Sequence, residues 1–299
     1  MNITEENLPA SPELAGTLEE LAAHAEKADG LAPLSEQFLN GLRDERLHHK
    51  HLVAWLDGEP IGVSSREDST AELFIAPDYR GKGYGTALYD ATANANTNLE
   101  TWAHGNGKPA QALANSRDLK VTRTLVVMGI AGSDLDSAAQ VGEIPLQAAN
   151  YSEAVDKWGK DTVENEWLRV NNEAFNWHPE QGGWDLERLH RGMEAEWFDP
   201  KDVLFFWDEK EQGHPTLAGF HWTKWHEEDP GFGEVYVVGL AEAYRGQKLG
   251  GPLLQIGLRR MVEKGAQRVI LYVEADNEPA LKAYKRLGFS VDEEHVVWG

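Results

Sequence analysis

Two periods of apolar residues organise the chain. A period of three to four, the mark of a helix with one buried face, runs through residues 12–27 and 34–47. Short β-branched and aromatic runs at 51–56, 61–65 and 71–75 predict strands. A helix is predicted from about Tyr84, a strand near 99–103, a short helix after it and a strand near 121–128. The second half gives a similar series. Helices fall around 162–175 and 186–196, and strands at 203–207, 217–222 and 234–240. A helix from Leu249, a strand at 269–273, a helix from Asn277 and a last strand at 291–298 complete it. Each half predicts a mostly antiparallel mixed sheet flanked by helices, an α+β class.

The halves also share residues. Leu73-Phe74-Ile75-Ala76-Pro77-Asp78-Tyr79-Arg80-Gly81 and Val238-Gly239-Leu240-Ala241-Glu242-Ala243-Tyr244-Arg245-Gly246 each carry an apolar run into a Tyr-Arg-Gly triplet. A helical pattern follows both. Further on, Lys108-Pro109-Ala110 parallels Glu278-Pro279-Ala280. Two matches in the same order indicate a duplication whose unit is a whole domain. The intervening residues 131–142 are small, polar and aperiodic, which suits a linker. The expected domains are 1–135 and 143–299.

In the first copy the strand-to-helix turn is Arg80-Gly81-Lys82-Gly83-Tyr84-Gly85-Thr86. Glycine permits left-handed backbone and close approach. Successive N–H groups then line one concavity, and the next helix adds unpaired N–H groups and the positive end of its dipole. A diphosphate is the natural guest, although such turns often serve geometry alone. No Gly-Lys-Ser/Thr follows at the spacing of a nucleoside-triphosphate loop, and Thr86 stands where a dinucleotide fingerprint needs its third glycine. In the second copy the turn is Arg245-Gly246-Gln247-Lys248-Leu249-Gly250-Gly251. Lys248 occupies a glycine position, and side chains tolerate positive φ poorly.

The pattern Arg-x-x-Gly-x-Gly after an apolar strand resembles the pyrophosphate loop of the GNAT acetyltransferase superfamily. The second copy also matches that superfamily's other signature, in Leu271-Tyr272-Val273, Asn277-Glu278-Pro279-Ala280-Leu281-Lys282-Ala283-Tyr284 and Gly288-Phe289. These read as a strand, a helix capped by Asn277, and a Gly-Phe stop. The superfamily packs this segment against the pantetheine arm and acyl end of the coenzyme. The first copy keeps the loop but has Trp102 for Tyr272, Ala114 for Tyr284 and Asp118-Leu119 for Gly288-Phe289. The resemblance implies two tandem GNAT domains, with catalysis in the second.

A narrower resemblance rests on Leu168-Arg169-Val170-Asn171-Asn172-Glu173-Ala174-Phe175, His178-Pro179-Glu180-Gln181-Gly182-Gly183-Trp184, Gly219-Phe220-His221-Trp222-Thr223-Lys224 and Gly233-Glu234-Val235-Tyr236. Looser matches in the first copy are Asp29-Gly30-Leu31-Ala32-Pro33, Glu36 and Trp102-Ala103-His104-Gly105. Together these resemble the mycothiol synthase family of tandem GNAT enzymes. That family moves acetyl from acetyl-CoA to the cysteinyl amine of a cysteinyl-glucosaminyl-inositol, and its N-terminal domain binds acetyl-CoA without evident catalysis. The resemblance implies substrate contacts at Glu36, Glu180, Lys224, Glu234 and Tyr272. It implies coenzyme contacts at Leu73, Phe74 and Ile75 with Gly81, Lys82, Gly83, Tyr84, Gly85 and Thr86 in the first copy. In the second it implies Val238, Gly239, Leu240, Arg245, Gly246, Gln247, Lys248, Leu249, Gly250 and Gly251, then Asn277, Glu278, Pro279, Ala280, Leu281 and Lys282.

The acceptor would be an α-amine with a solution pKa of about 7.7–8.0, so its deprotonation at neutral pH costs only about 1 kcal/mol. Glu234 suffices as base, directly or through water, provided burial lifts its pKa. Tyr272 and Tyr284 both stand as donors to the leaving thiolate, whose solution pKa is about 8.5.

Charge and composition narrow the partners. The net charge is −22, from 50 Asp and Glu against 28 Lys and Arg, which argues against nucleic acid and anionic membrane surfaces. Zero cysteines exclude disulfides, thiolate catalysis and cysteine-based zinc sites. His178, His221 and His226 lack convincing metal spacing and His104 stands isolated, so no metal is expected. The start of the chain lacks the basic and apolar pattern of a signal peptide, so a cytoplasmic location is expected. An internal duplication can replace a homodimer, and a monomer is expected. The tryptophans around 167, 184 and 222 are expected in the core rather than as sugar platforms, with Trp184 beside Gly182-Gly183 open to either role. Two other readings remain open: a GNAT enzyme for another amine, such as an aminoglycoside or a protein N-terminus, and a non-catalytic acyl-CoA sensor.

Overall fold

The computed structural model describes residues 1–96, 98–144, 146–177, 181–209, 215–227 and 229–299. In chain order the elements are β1 (Asn2–Glu6), α1 (Pro12–Asp29), α2 (Glu36–Asn40), β2 (Lys50–Leu56), β3 (Glu59–Glu67), β4 (Thr70–Ile75), α3 (Tyr84–Asn94), β5 (Glu100–Ala103), α4 (Lys108–Ser116) and β6 (Val121–Ala131). They continue with α5 (Gly132–Ala138), β7 (Gln147–Asn150), α6 (Tyr151–Trp158), α7 (Lys160–Ala174), α8 (Leu186–Met193), β8 (Val203–Asp208), β9 (Thr216–Trp225), β10 (Phe232–Leu240), α9 (Gly250–Glu263), β11 (Arg268–Glu274), α10 (Glu278–Leu287) and β12 (Ser290–Trp298). Two compact units result. One is Met1–Val126 with Glu274–Asp276 and Glu293–Gly299, and the other is Val127–Val273 with Asn277–Asp292. Among the described residues no helix is long and apolar enough to cross a membrane.

In the first unit the neighbouring strands run β1-β2-β3-β4-β5-β12. The pairs are antiparallel except β4 with β5. Helix α1 begins with Pro12 and ends at Gly30 in left-handed backbone (φ 73°). Its apolar stripe, Ala15, Leu18, Ala22 and Ala25, packs with Phe38, Val53, Val63 and Phe74. The predicted helix 34–47 is only the short α2 followed by a 3-10 turn at Glu45–Leu47. Gly41 ends it. A Cβ there would sit 1.9 Å from His49 Nδ1, so the backbone lies against the imidazole. Strand β1 was not foreseen; its polar sequence hides its pairing with β2.

In the second unit the order is β6-β11-β10-β9-β8-β7. Its core is aromatic: Trp167, Phe205, Trp207, Phe220 and Trp222 are all buried. Trp167 and Trp222 meet edge to face with ring centres 5.1 Å apart. Segment 131–142, read as irregular, holds α5, with Leu135 and Ala138 buried. Strand β7 and α6 were also not foreseen. Helix α6 opens with a reciprocal capping box, in which Asn150 accepts from the Glu153 N–H and the Glu153 carboxylate accepts from the Asn150 N–H.

Candidate active site

In the second unit the site forms where the parallel ladder of β10 and β11 stops. The recorded pairs run from Phe232↔Arg268 to Val235↔Leu271, while β10 continues beside β9 to Leu240↔Gly219. Beyond Val235 one edge of β10, including Val238, Gly239 and Leu240, is left facing a cleft in the sheet. A β-bulge between Val235 and Val237 sits at that fork. An extra residue in one strand bends it and re-aims its peptide groups.

Glu234 lies on the last part of the ladder, 8% exposed. It is opposite Lys224 on β9 and level with Ile270 on β11. Tyr272, two residues past Ile270, therefore shares its face of the sheet. Tyr272 is 46% exposed. Glu234 Oε2 lies 3.1 Å from His226 Nε2. The Lys224 ammonium lies 5.1 Å from the centre of the Trp197 ring. The structure thus brings Glu234, Lys224 and Tyr272 to one face. Tyr284 is on α10, its ring centre 5.9 Å from that of Phe289, and burial pushes its hydroxyl up to about 12. Asn277 caps α10 by accepting from the Ala280 N–H at 3.3 Å, with Pro279 in the first turn and Gly288 (φ 102°) at the end.

The loop before α9 explains how Lys248 fits. Gly246 has φ 78° and Lys248 has φ 61°. The corresponding Gly81 and Gly83 of the first unit have φ 74° and 82°. The lysine holds the glycine conformation. Arg245 fastens the loop, donating to Glu173 O at 2.8 Å and Leu240 O at 3.4 Å. Arg80 does the same, donating to Ile75 O at 2.8 Å and to the Asp29 carboxylate at 2.7 and 2.8 Å. With both guanidiniums engaged, the anion-seeking groups of each loop are its N–H groups, with those of α3 (from Tyr84, through Gly85 and Thr86) or α9 (from Gly250 and Gly251), joined in the second loop by the exposed Lys248 ammonium. Lys82 donates to Asp78 O at 3.3 Å. Gln247 donates to Ala243 O at 2.8 Å, and Leu249 is buried.

The first unit has a matching fork. The ladder of β4 and β5 records only Thr70↔Glu100 and Ala71↔Thr101, so Leu73, Phe74 and Ile75 lie beyond it. Its β3–β4 register is unbroken, without a bulge. The first residue past the fork is Glu72, 2% exposed. Its Oε2 accepts from the Ser35 N–H at 2.6 Å, and its Oε1 lies 3.2 Å from His104 Nε2. His104 Nδ1 is in turn 3.1 Å from His295 Nδ1. His104 is therefore not isolated. Burial opposes its charge, but the Glu72 carboxylate prevails and raises its pKa. Burial, with the neighbouring His104, holds His295 down to about 4. Sequence reasoning missed Glu72, the His104–His295 pair and the His226–Glu234 pair. The His104–His295 contact spans most of the chain and leaves no local signal. The His226–Glu234 contact depends on the register of the hairpin between β9 and β10, which the sequence does not fix. Glu36 is exposed at the start of α2, just after Ser35. Glu180, His178 and Pro179 lie outside the described residues.

Comparison with known proteins places the fold and the family. The Acetyltransferase (GNAT) family model matches residues 166–289, and an Acetyltransferase (GNAT) domain model matches residues 47–115. A tandem GNAT protein from the clavulanic acid biosynthesis pathway superposes with a TM-score of 0.70 at 16% identity, over 99% of this chain and 98% of that one. A GCN5-related N-acetyltransferase from Sphaerobacter thermophilus gives 0.62 at 20% identity, over 99% and 94%. The class is that of tandem GNAT acetyltransferases. Mycothiol acetyltransferase of Corynebacterium aurimucosum is 60% identical over 100% of this chain and 99% of its own length. Those of Corynebacterium glutamicum and Corynebacterium diphtheriae are 46% and 44% identical, over 90% and 97% of this chain and 88% and 95% of theirs. The chain belongs to the mycothiol acetyltransferase family.

Proposed function

We propose that the chain transfers acetyl from acetyl-CoA to the cysteinyl amine of cysteinyl-glucosaminyl-inositol, the last step of mycothiol biosynthesis. Domain 143–299 carries the chemistry, and domain 1–135 binds acetyl-CoA without turning it over. The observation that carries the reading is a buried carboxylate, Glu234, sharing one sheet face with the exposed Tyr272 at the fork of β10 and β11. Glu234 takes the proton of the attacking amine. A backbone N–H near Gly239 stabilises the oxyanion. Tyr272 or Tyr284 returns a proton to the thiolate. Lys224, Glu36 and Glu180 engage the hydroxyls and charges of the acceptor.

The pantetheine arm runs along Val238, Gly239 and Leu240 and past Asn277 to Lys282. The diphosphate rests on the N–H groups of 245–251. In the first domain the equivalent cradle is Leu73 to Ile75 with Gly81 to Thr86. The thioester is activated without a metal, and the enzyme acts as a cytoplasmic monomer. Purified protein given acetyl-CoA and the cysteinyl pseudodisaccharide should release CoA thiol. No release at millimolar acceptor overturns the proposal.

A further inference from the structure

We propose that His226 is a positioning residue that holds Glu234 in the geometry of a base, an inference that rests on Glu234 being the base. His226 follows β9, and its N–H donates to Phe232 O at 3.2 Å, closing the hairpin into β10. This fixes the imidazole on the face that carries Glu234. The ring lies against that of Phe232, centres 4.5 Å apart, which limits its rotation. Nε2 then sits 3.1 Å from Glu234 Oε2. One carboxylate oxygen is occupied and the other keeps its lone pairs for the amine.

The choice of histidine has a physical reason. A carboxylate held by a lysine or arginine stays ionised but loses basicity, because the fixed cation opposes its protonation. An imidazole can occupy one carboxylate oxygen through a single ring nitrogen, without the permanent charge of a lysine or arginine. Nearby, the Lys224 ammonium lies over the Trp197 ring, and the Arg268 guanidinium lies 5.5 Å from the centre of the Phe232 ring.

The test is steady-state kinetics of His226→Ala and His226→Gln beside Glu234→Gln. Misplacing a reacting group by about 1 Å costs up to about a hundredfold. His226→Ala should therefore lower kcat by about ten- to a hundredfold while KM for acetyl-CoA stays within about twofold. His226→Gln offers an amide N–H to the same oxygen and should recover most of the loss. An unchanged kcat in His226→Ala, a parallel rise in KM for acetyl-CoA, or no recovery in His226→Gln overturns the inference. If Glu234→Gln itself keeps full turnover, the base assignment fails, and the His226 role with it. If Glu234→Gln is inactive while His226→Ala is fully active, only the role of His226 fails.

Discussion

Lys248→Gly separates conformational strain from function within a single loop. Lys248 has φ 61° where the first unit has Gly83 at 82°. Left-handed backbone costs an L-residue about 1–2 kcal/mol. Glycine returns about 0.4–1 kcal/mol of that through the greater freedom of its unfolded chain. Lys248 is exposed, so its removal opens no cavity. The net expectation is a gain of about 0.5–1 kcal/mol, or about 2–4 °C in Tm for a unit of this size. The reciprocal change in the first unit isolates the same term. A Cβ added at Gly83 meets nothing within 4 Å, so Gly83→Lys should cost about the same through φ alone. Chemical denaturation of both variants measures the two effects. Titration with acetyl-CoA measures the other side: losing an exposed cation from the proposed diphosphate loop should weaken binding about two- to fivefold at low salt and less at high salt. If Lys248→Gly destabilises the protein, or Gly83→Lys leaves stability unchanged, the strain account is wrong.

Glu234→Gln keeps shape and removes the proposed base, and should lower turnover by at least about a hundredfold with little change in Tm; turnover near wild type in the purified variant contradicts the assignment. Tyr272→Phe should chiefly raise KM for the acceptor, and Tyr284→Phe should chiefly lower kcat if it is the acid; the reverse pattern moves the acid to Tyr272. Gly257→Ala should destabilise by about 1–3 kcal/mol or more, because the new Cβ would lie 2.1 Å from the buried His221 ring; an unchanged denaturation midpoint refutes the close approach. Burial holds His51, His221 and His295 down to about 4 each. The folded state keeps them neutral while the unfolded chain protonates them near 6.5. Their contribution is therefore complete above about pH 6.5 and is lost as pH falls toward 4, by about 1–2 kcal/mol per group at pH 5, with His104 acting in the opposite sense. NMR should show His51, His221 and His295 still neutral at pH 5, and titration of all three near 6.5 refutes it.

The duplication and the two loops were legible because their signals are local. A Tyr-Arg-Gly triplet followed by glycines and a capped helix needs only neighbouring residues to be understood. The conformation of Lys248 was not legible, because its departure from glycine predicted strain and the fold imposes the left-handed turn regardless. Segment 131–142 misled for a related reason: its small residues have weak periodicity, and burial of Leu135 and Ala138 makes the helix. Helix 34–47 was overextended because its apolar period continues through Gly41, where tertiary contact with His49 ends it. The pairs around Glu72 and Glu234 depend on which residues face each other across strands, and register is invisible until the bulge and the hairpins are placed.

The asymmetry between the copies goes deeper than the absent tyrosine. Each unit puts a buried carboxylate at the fork beside its glycine loop. A base needs a lone pair free for the incoming proton. In the first unit both oxygens of Glu72 are taken, one by the Ser35 N–H and one by His104. Taking up a proton there would disturb one of these two contacts. In the second unit His226 meets Oε2 of Glu234. The bulge belongs to the same contrast. Between the last recorded ladder pair and the loop arginine, the second copy has one residue more than the first, and the break in register at Val235/Val237 accounts for it. An extra residue bends a strand and re-aims its peptide groups, which is what the proposed oxyanion contact near Gly239 requires. An unbulged β4 keeps its ladder with β3 and offers no such turn. Carboxylate occupancy and strand register therefore support the same division of labour as the Tyr284-to-Ala114 difference, each from an independent feature.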